Sequence, residues 1–150
     1  MTHMKRTLII GCGNSFRQDD GVGYATAEQL ATREFNSNVR VIACQQLTPD
    51  LAVEMSHTDR VILIDARVDG PPGCVSVQKI EPMDHSNSNI THELQPSTLL
   101  EYARVLYSSN PETYLVSVTG ASFDFGRQFS DPVQAALPEL HRCVRRLVNG

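Results

Sequence analysis

The apolar run Leu8-Ile9-Ile10 ends abruptly in Gly11-Cys12-Gly13-Asn14 and is followed by Ser15-Phe16-Arg17-Gln18-Asp19-Asp20-Gly21-Val22-Gly23. A strand that runs into spaced glycines and then into a helix start points to an α/β fold, because glycines let backbone approach a ligand closely. In a dinucleotide site that ligand is a pyrophosphate held at the helix N-terminus. Here the helix is entered through two adjacent carboxylates, Asp19 and Asp20, whose charge repels a phosphate and attracts a cation. The third glycine of the dinucleotide pattern falls on Phe16, the second apolar run ends in Ala43-Cys44-Gln45 with no acid for a ribose, and no Gly-Lys-Ser/Thr completes a P-loop. All three absences weigh against a nucleotide-binding regulator.

Strand and helix patterns then alternate without repeats or low-complexity linkers, the order of a three-layer α/β fold. The patterns predict strands over Thr7–Ile10, Val39–Cys44, Val61–Asp65, Cys74–Ile80 at an edge, and Thr113–Val118. Helices are predicted over Asp20–Glu34, after Thr48-Pro49-Asp50 with Thr48 as N-cap, over Pro96–Tyr107, and from Asp131-Pro132, where Pro138 should kink the helix or mark its true start. Pro82–Asn89 reads as a mobile surface loop.

The 150 residues suffice for one solid core and read as a single domain, 1–150. Net charge of -4 argues against nucleic acid or an acidic membrane as partner. The Arg142, Arg145, Arg146 cluster reads as the cationic end of the last helix. Cys12, Cys44, Cys74 and Cys143 are spread singly, without a Cys-x-x-Cys pair, and each is expected to be a small buried apolar residue. With no signal region and no run of membrane-spanning length, a cytoplasmic monomer in a reducing compartment is expected.

Three residues stand out chemically: Asp20 at a helix entrance, Asp65 at the end of a central strand, and His92 ahead of another helix. In a mostly parallel sheet the two acids share one edge, and two carboxylates with an imidazole suit a first-row divalent ion while leaving a position open. Acids also cap helices and end strands, and a lone histidine is commonly structural. Asp19 is expected to be a helix cap or a solvated acid, and His3, His57, His85 and His141 to be uninvolved. Cys12 or Ser15 paired with His92 would make a nucleophile, but no nucleophile-elbow pattern surrounds either residue.

Taken together, Gly11-Cys12-Gly13-Asn14 with Asp19-Asp20-Gly21-Val22-Gly23, Ile64-Asp65-Ala66, and Thr91-His92-Glu93-Leu94 resemble the hydrogenase maturation proteases, across nearly the whole chain. That resemblance implies a mixed, mostly parallel five-stranded sheet between helical layers, with Cys74–Ile80 antiparallel. It implies an endopeptidase that removes the C-terminal extension of a nickel-iron hydrogenase large-subunit precursor. Asp20, Asp65 and His92 would be both its catalytic residues and its metal ligands, and one of the two acids would be available as a base. The resemblance also implies that the nickel ion belongs to the precursor and acts as recognition element, with other divalent ions expected to be able to replace it in the isolated protein. The chain departs from many relatives at Cys44–Leu51, a segment expected to line the substrate groove. A non-proteolytic nickel-sensing or chaperone module, using the same three ligands, is the competing reading.

Overall fold

The computed structural model describes residues 4–32, 35–83 and 94–150. Strands β1 (Thr7–Cys12), β2 (Val39–Cys44), β3 (Arg60–Arg67), β4 (Val75–Ile80) and β5 (Glu112–Thr119) form one sheet in the order β2-β1-β3-β5-β4. All neighbours run parallel except β4, which is antiparallel to β5 at the edge. Helices α1 (Val22–Ala31), α2 (Leu51–Ser56), α3 (Pro96–Tyr107) and α4 (Asp131–Asn149) complete the α/β fold expected from the alternating pattern.

Side-chain alternation splits the core into two layers. Ile9, Ile62, Ile64, Val116 and Val118 face α1 and α4, meeting Val22, Leu30, Val133, Leu140 and Val144. Leu8, Ile10, Val61 and Leu63 face α2 and α3, meeting Leu51, Met55, Leu99 and Ala103. β1 and β3 are therefore covered on both faces, as their continuous apolar runs require. Each such leucine or isoleucine contributes about 1.5–3 kcal/mol by leaving water.

The crossover through α1 carries the chain from β1 outward to β2, and the one through α2 brings it back across to β3. The carboxyl ends of β1 and β3 thus flank the point where strand order reverses, the crevice in which open α/β sheets hold their ligands.

Several boundaries differ from the sequence pattern. β1 extends to Cys12 and β3 to Arg67, because backbone pairing outlasts the apolar runs. A single 3-10 turn, Gln18–Gly21, precedes α1, which begins only at Val22 and ends at Ala31. Asp50, not Thr48, stands at the α2 N-cap, and its side chain makes no capping hydrogen bond. Pro138 lies inside α4, whose start is Asp131. Proline there withholds one N–H from the ladder, yet the buried face of Val133, Ala136, Leu140 and Val144 carries the helix on. The loop expected over Pro82–Asn89 falls largely outside the described residues.

Candidate functional site

One residue from each strand forms a row across the carboxyl end of the sheet, on the α2/α3 face: Cys44, Cys12, Asp65, Ser117 and Ser76. Cys12 is the register partner of Cys44, Ser117 of both Asp65 and Ser76, and the Gly11–Ile64 pairing places Asp65 one rung on, beside Cys12. On β2, β1, β3 and β5 the row two residues lower consists of Ile42, Ile10, Leu63 and Leu115, which pack in the core, while edge strand β4 contributes the exposed Gln78. On the first four strands the sheet face thus passes from aliphatic side chains to thiols, a carboxylate and a hydroxyl in one step.

β3 does not end at Asp65. Ala66 and Arg67 continue pairing with β5, whereas pairing with β1 stops at Ile64. Asp65 therefore occupies the place where β3 parts from β1, and its Oδ1 accepts the Ala66 N–H at 2.8 Å. On the β5 side, Arg67 Nη1 donates to Ser76 Oγ at 2.9 Å, and Ser76 Oγ lies 3.0 Å from Ser117 Oγ.

Asp20 reaches the same edge from the other layer. A Cβ on Gly23 would lie 2.2 Å from the Ile64 carbonyl oxygen and 2.4 Å from that of Cys12, and one on Gly11 would lie 2.1 Å from the Gly23 oxygen. The start of α1 is thus seated directly on the ends of β1 and β3. These glycines serve contact of backbone with backbone, leaving no room for the phosphate that a glycine-rich loop cradles. The preceding 3-10 turn delivers Asp20, whose Oδ2 accepts the Asn14 N–H at 3.0 Å.

Cys12 lies within electrostatic reach of both acids. A hydrogen bond with the Cys44 thiol, burial, and the charges of Asp65 and Asp20 push its thiol far above the ordinary range. Such a thiol is a poor nucleophile. The bond from Cys12 draws the Cys44 thiol below its usual value against the effect of burial. The expectation of four buried cysteines holds for Cys12 and Cys143, whereas Cys44 is half-buried and Cys74 is exposed.

Asp19 is neither a helix cap nor a solvated acid. It is fully buried and accepts four hydrogen bonds, from the backbone N–H groups of Ala121, Ser122 and Ser130 and from the Ser130 hydroxyl. Burial alone would raise its pKa, but these donors, Ser130 foremost, hold the carboxyl below its usual range.

The sequence matches no protein-family model and no curated protein. Among solved structures, a [NiFe] hydrogenase maturation protease, HycI, from Thermococcus kodakarensis KOD1 aligns over 97% of this chain and 94% of its own, with a TM-score of 0.78 and 20% identity. The hydrogenase maturating endopeptidase HybD of E. coli aligns over 96% and 92%, with a TM-score of 0.79 and 21% identity. A hydrogenase 2 maturation peptidase from a Thaumarchaeota archaeon aligns over 96% and 98%, with a TM-score of 0.72 and 23% identity. The fold is that of the hydrogenase maturation endopeptidases.

Within this maturation-endopeptidase fold, Asp20 and Asp65 stand at one sheet edge, and His92 lies outside the described residues. Leu94, two positions on, packs against the α2/α3 layer, the face that carries Asp65. Among the described residues, no three His, Cys, Asp or Glu side chains stand close enough together to hold a metal ion. Also among them, no helix is long and apolar enough to cross a membrane. Sequence reasoning missed Ser76, Ser117 and Arg67. Their only signal is strand register, which no local pattern carries.

Proposed function

We propose that this chain is an endopeptidase that removes the C-terminal extension of a nickel-loaded nickel-iron hydrogenase large-subunit precursor, acting in the cytoplasm as a single domain. The observation that carries this reading is the delivery of Asp20, by the turn before α1, and of Asp65, by strand β3, to the switch point of a maturation-endopeptidase fold.

The donor chemistry fits a substrate-borne ion. One oxygen of each carboxylate accepts a backbone N–H, from Asn14 at Asp20 and from Ala66 at Asp65, which ties both acids to the backbone at this edge. Two carboxylates, with the His92 imidazole as third donor, are a partial ligand set that suits an ion arriving with ligands of its own. The charges of Asp20 and Asp65, both within electrostatic reach of Cys12, favour such a cation, and one of the two acids would serve as the base that takes a proton from attacking water. A bound divalent ion supplies Lewis acidity. Because the ligand set completes only on loaded precursor, the same residues discriminate loaded from empty substrate.

The test mixes this protein with large-subunit precursor, prepared with and without nickel, and follows the precursor by intact mass. Loss of the extension only from the nickel-loaded form is the expected result. Binding of a competent loaded precursor without cleavage would replace the peptidase by a nickel-sensing or chaperone module.

A further inference from the structure

The 3-10 turn that delivers Asp20 is fastened along one side to the segment joining β5 to α4. The Gly126 N–H donates to the Phe16 carbonyl at 2.7 Å, the Gln18 N–H to the Gly126 carbonyl at 2.8 Å, and the Asp19 N–H to the Ser122 carbonyl at 3.1 Å. Arg17 Nε donates to the Phe123 carbonyl at 3.2 Å, and the Ser122 hydroxyl bonds Gln18 Oε1. At the centre, Asp19 Oδ2 accepts from Ala121 N at 2.8 Å, Ser122 N at 3.0 Å and Ser130 Oγ at 2.7 Å, and Oδ1 from Ser130 N at 2.8 Å. Hydrogen bonds to an ionised acceptor are the strong ones, and four on one buried carboxylate make a rigid fastening.

The fastening holds a strained residue. Gln18 has φ of 48°, a left-handed conformation in which the side chain crowds the backbone and which persists only where surroundings over-determine it. Gln18 is bonded through both its N–H and its side chain to the segment that Asp19 clasps, and Asp20 follows two positions later. Clasp, strained turn and acid are thus contiguous.

We propose that Asp19 is a positioning residue. By clasping residues 121–130 it holds Gln18 in its left-handed turn and so sets where the Asp20 carboxylate points. The proposal deepens the functional reading above and rests on Asp20 as a ligand to the substrate's ion.

Asp19→Asn exchanges one acceptor oxygen for an NH2 group, which then faces N–H donors. The full-length variant is compared with the parent in three measurements: Ni2+ affinity by calorimetry, kcat and KM on nickel-loaded precursor, and hydrogen exchange at Ala121, Ser122 and Ser130. All are taken at a temperature where thermal melts show both proteins folded. Supporting groups behind a metal ligand typically change affinity about 10–100-fold, so Ni2+ affinity should fall by about that factor. kcat should fall with it, KM should move little, and exchange should quicken at the three amides. Adding Gln18→Gly should restore part of the lost Ni2+ affinity, because glycine adopts the left-handed turn without strain.

A folded Asp19→Asn protein with parental Ni2+ affinity and kcat overturns the proposal, and absence of any recovery with Gln18→Gly overturns the route through the turn. Should Asp19→Asn fail to fold, Ser130→Ala, which removes only the hydroxyl bond, carries the same test with a several-fold loss expected and parental behaviour again refuting. Asp20→Asn runs in parallel. If it keeps parental Ni2+ affinity and cleavage, the reading of Asp20 is what fails, while amide exchange still reports whether Asp19 clasps the loop.

Discussion

Gly23→Ala separates two accounts of the glycine run by the sign of its effect. Gly23 is the second residue of α1, and alanine is favoured over glycine within a helix by about 1 kcal/mol. On propensity alone the substitution stabilises. Packing says the opposite. The new Cβ would sit 2.2 Å from the Ile64 oxygen, where a carbon needs roughly 3.3 Å, a deficit of about 1.1 Å. A second carbonyl, of Cys12 on the neighbouring strand, lies 2.4 Å away, so the new Cβ meets the backbone of two strands at once.

Overpacking a tight core costs about 1–3 kcal/mol, and a clash against the backbone of two central strands belongs at or above the upper end. After the propensity gain, a net loss of about 2 kcal/mol remains. With a urea m-value of about 2 kcal/mol/M for a chain of this size, the unfolding midpoint should drop by about 1 M. Gly120→Ala is the contrast. Its Cβ would meet the tip of the half-exposed Phe123 ring at 2.5 Å, which can swing aside, and the Asp19 Cβ at 3.0 Å, a lesser overlap than the two strand carbonyls at Gly23, so its midpoint should fall less. An unchanged or raised midpoint for Gly23→Ala would refute the account of this glycine as a contact between α1 and two strands.

Asp20→Asn, Asp65→Asn and His92→Ala should each abolish processing of nickel-loaded precursor, and the two near-isosteric Asp→Asn changes should leave the urea midpoint near that of the parent, since they open no cavity. Parental rates in all three would reject the site. For pH, the Tyr114 hydroxyl and Lys5, 3.0 Å away, hold the Glu112 carboxyl below its ordinary value of 4.5. A depressed folded-state pKa stabilises above the unfolded value and is lost as pH falls through the folded one. Glu112→Gln should therefore be less stable than the parent at neutral pH, with the gap closing below the ordinary carboxylate range; a gap that stays constant in urea titrations across that range would contradict this. Alkylation of native protein, mapped by mass, should label exposed Cys74 and then Cys44 and leave Cys12 unmodified. Early labelling of Cys12 would overturn the assignment of the two thiols.

What was legible in the sequence was whatever local pattern determines. β2 and α3 have the predicted ends, Val39–Cys44 and Pro96–Tyr107, because apolar alternation and a proline at the helix start are local signals. The order of elements sufficed to bring Asp20 and Asp65 to one sheet edge. The ends of β1 and β3 were not legible, since Gly11 with Ala43, and Ala66 with Val118, are strand residues by virtue of their partners and not of their own patterning. Pro138 does not mark the start of α4, because a helix breaker by propensity is outvoted by a buried face that spans both sides of it. Burial of Asp19 was out of reach altogether, because its donors lie between 102 and 111 residues away.

The opposite fates of the two adjacent acids follow from that geometry. A 3-10 turn advances about 120° per residue, so neighbouring side chains leave it in different directions. Asp19 turns inward, where four donors satisfy it and fasten the turn. Asp20 remains partly exposed at the sheet edge, held by the Asn14 N–H. A carboxylate with four donors has little to gain from a cation, whereas one held by a single N–H at the same sheet edge as a second acid gains much. The glycines that resemble an anion cradle act in the contrary sense here: by letting α1 settle onto Cys12 and Ile64, they bring a negative charge to the switch point where a dinucleotide fold would place a phosphate.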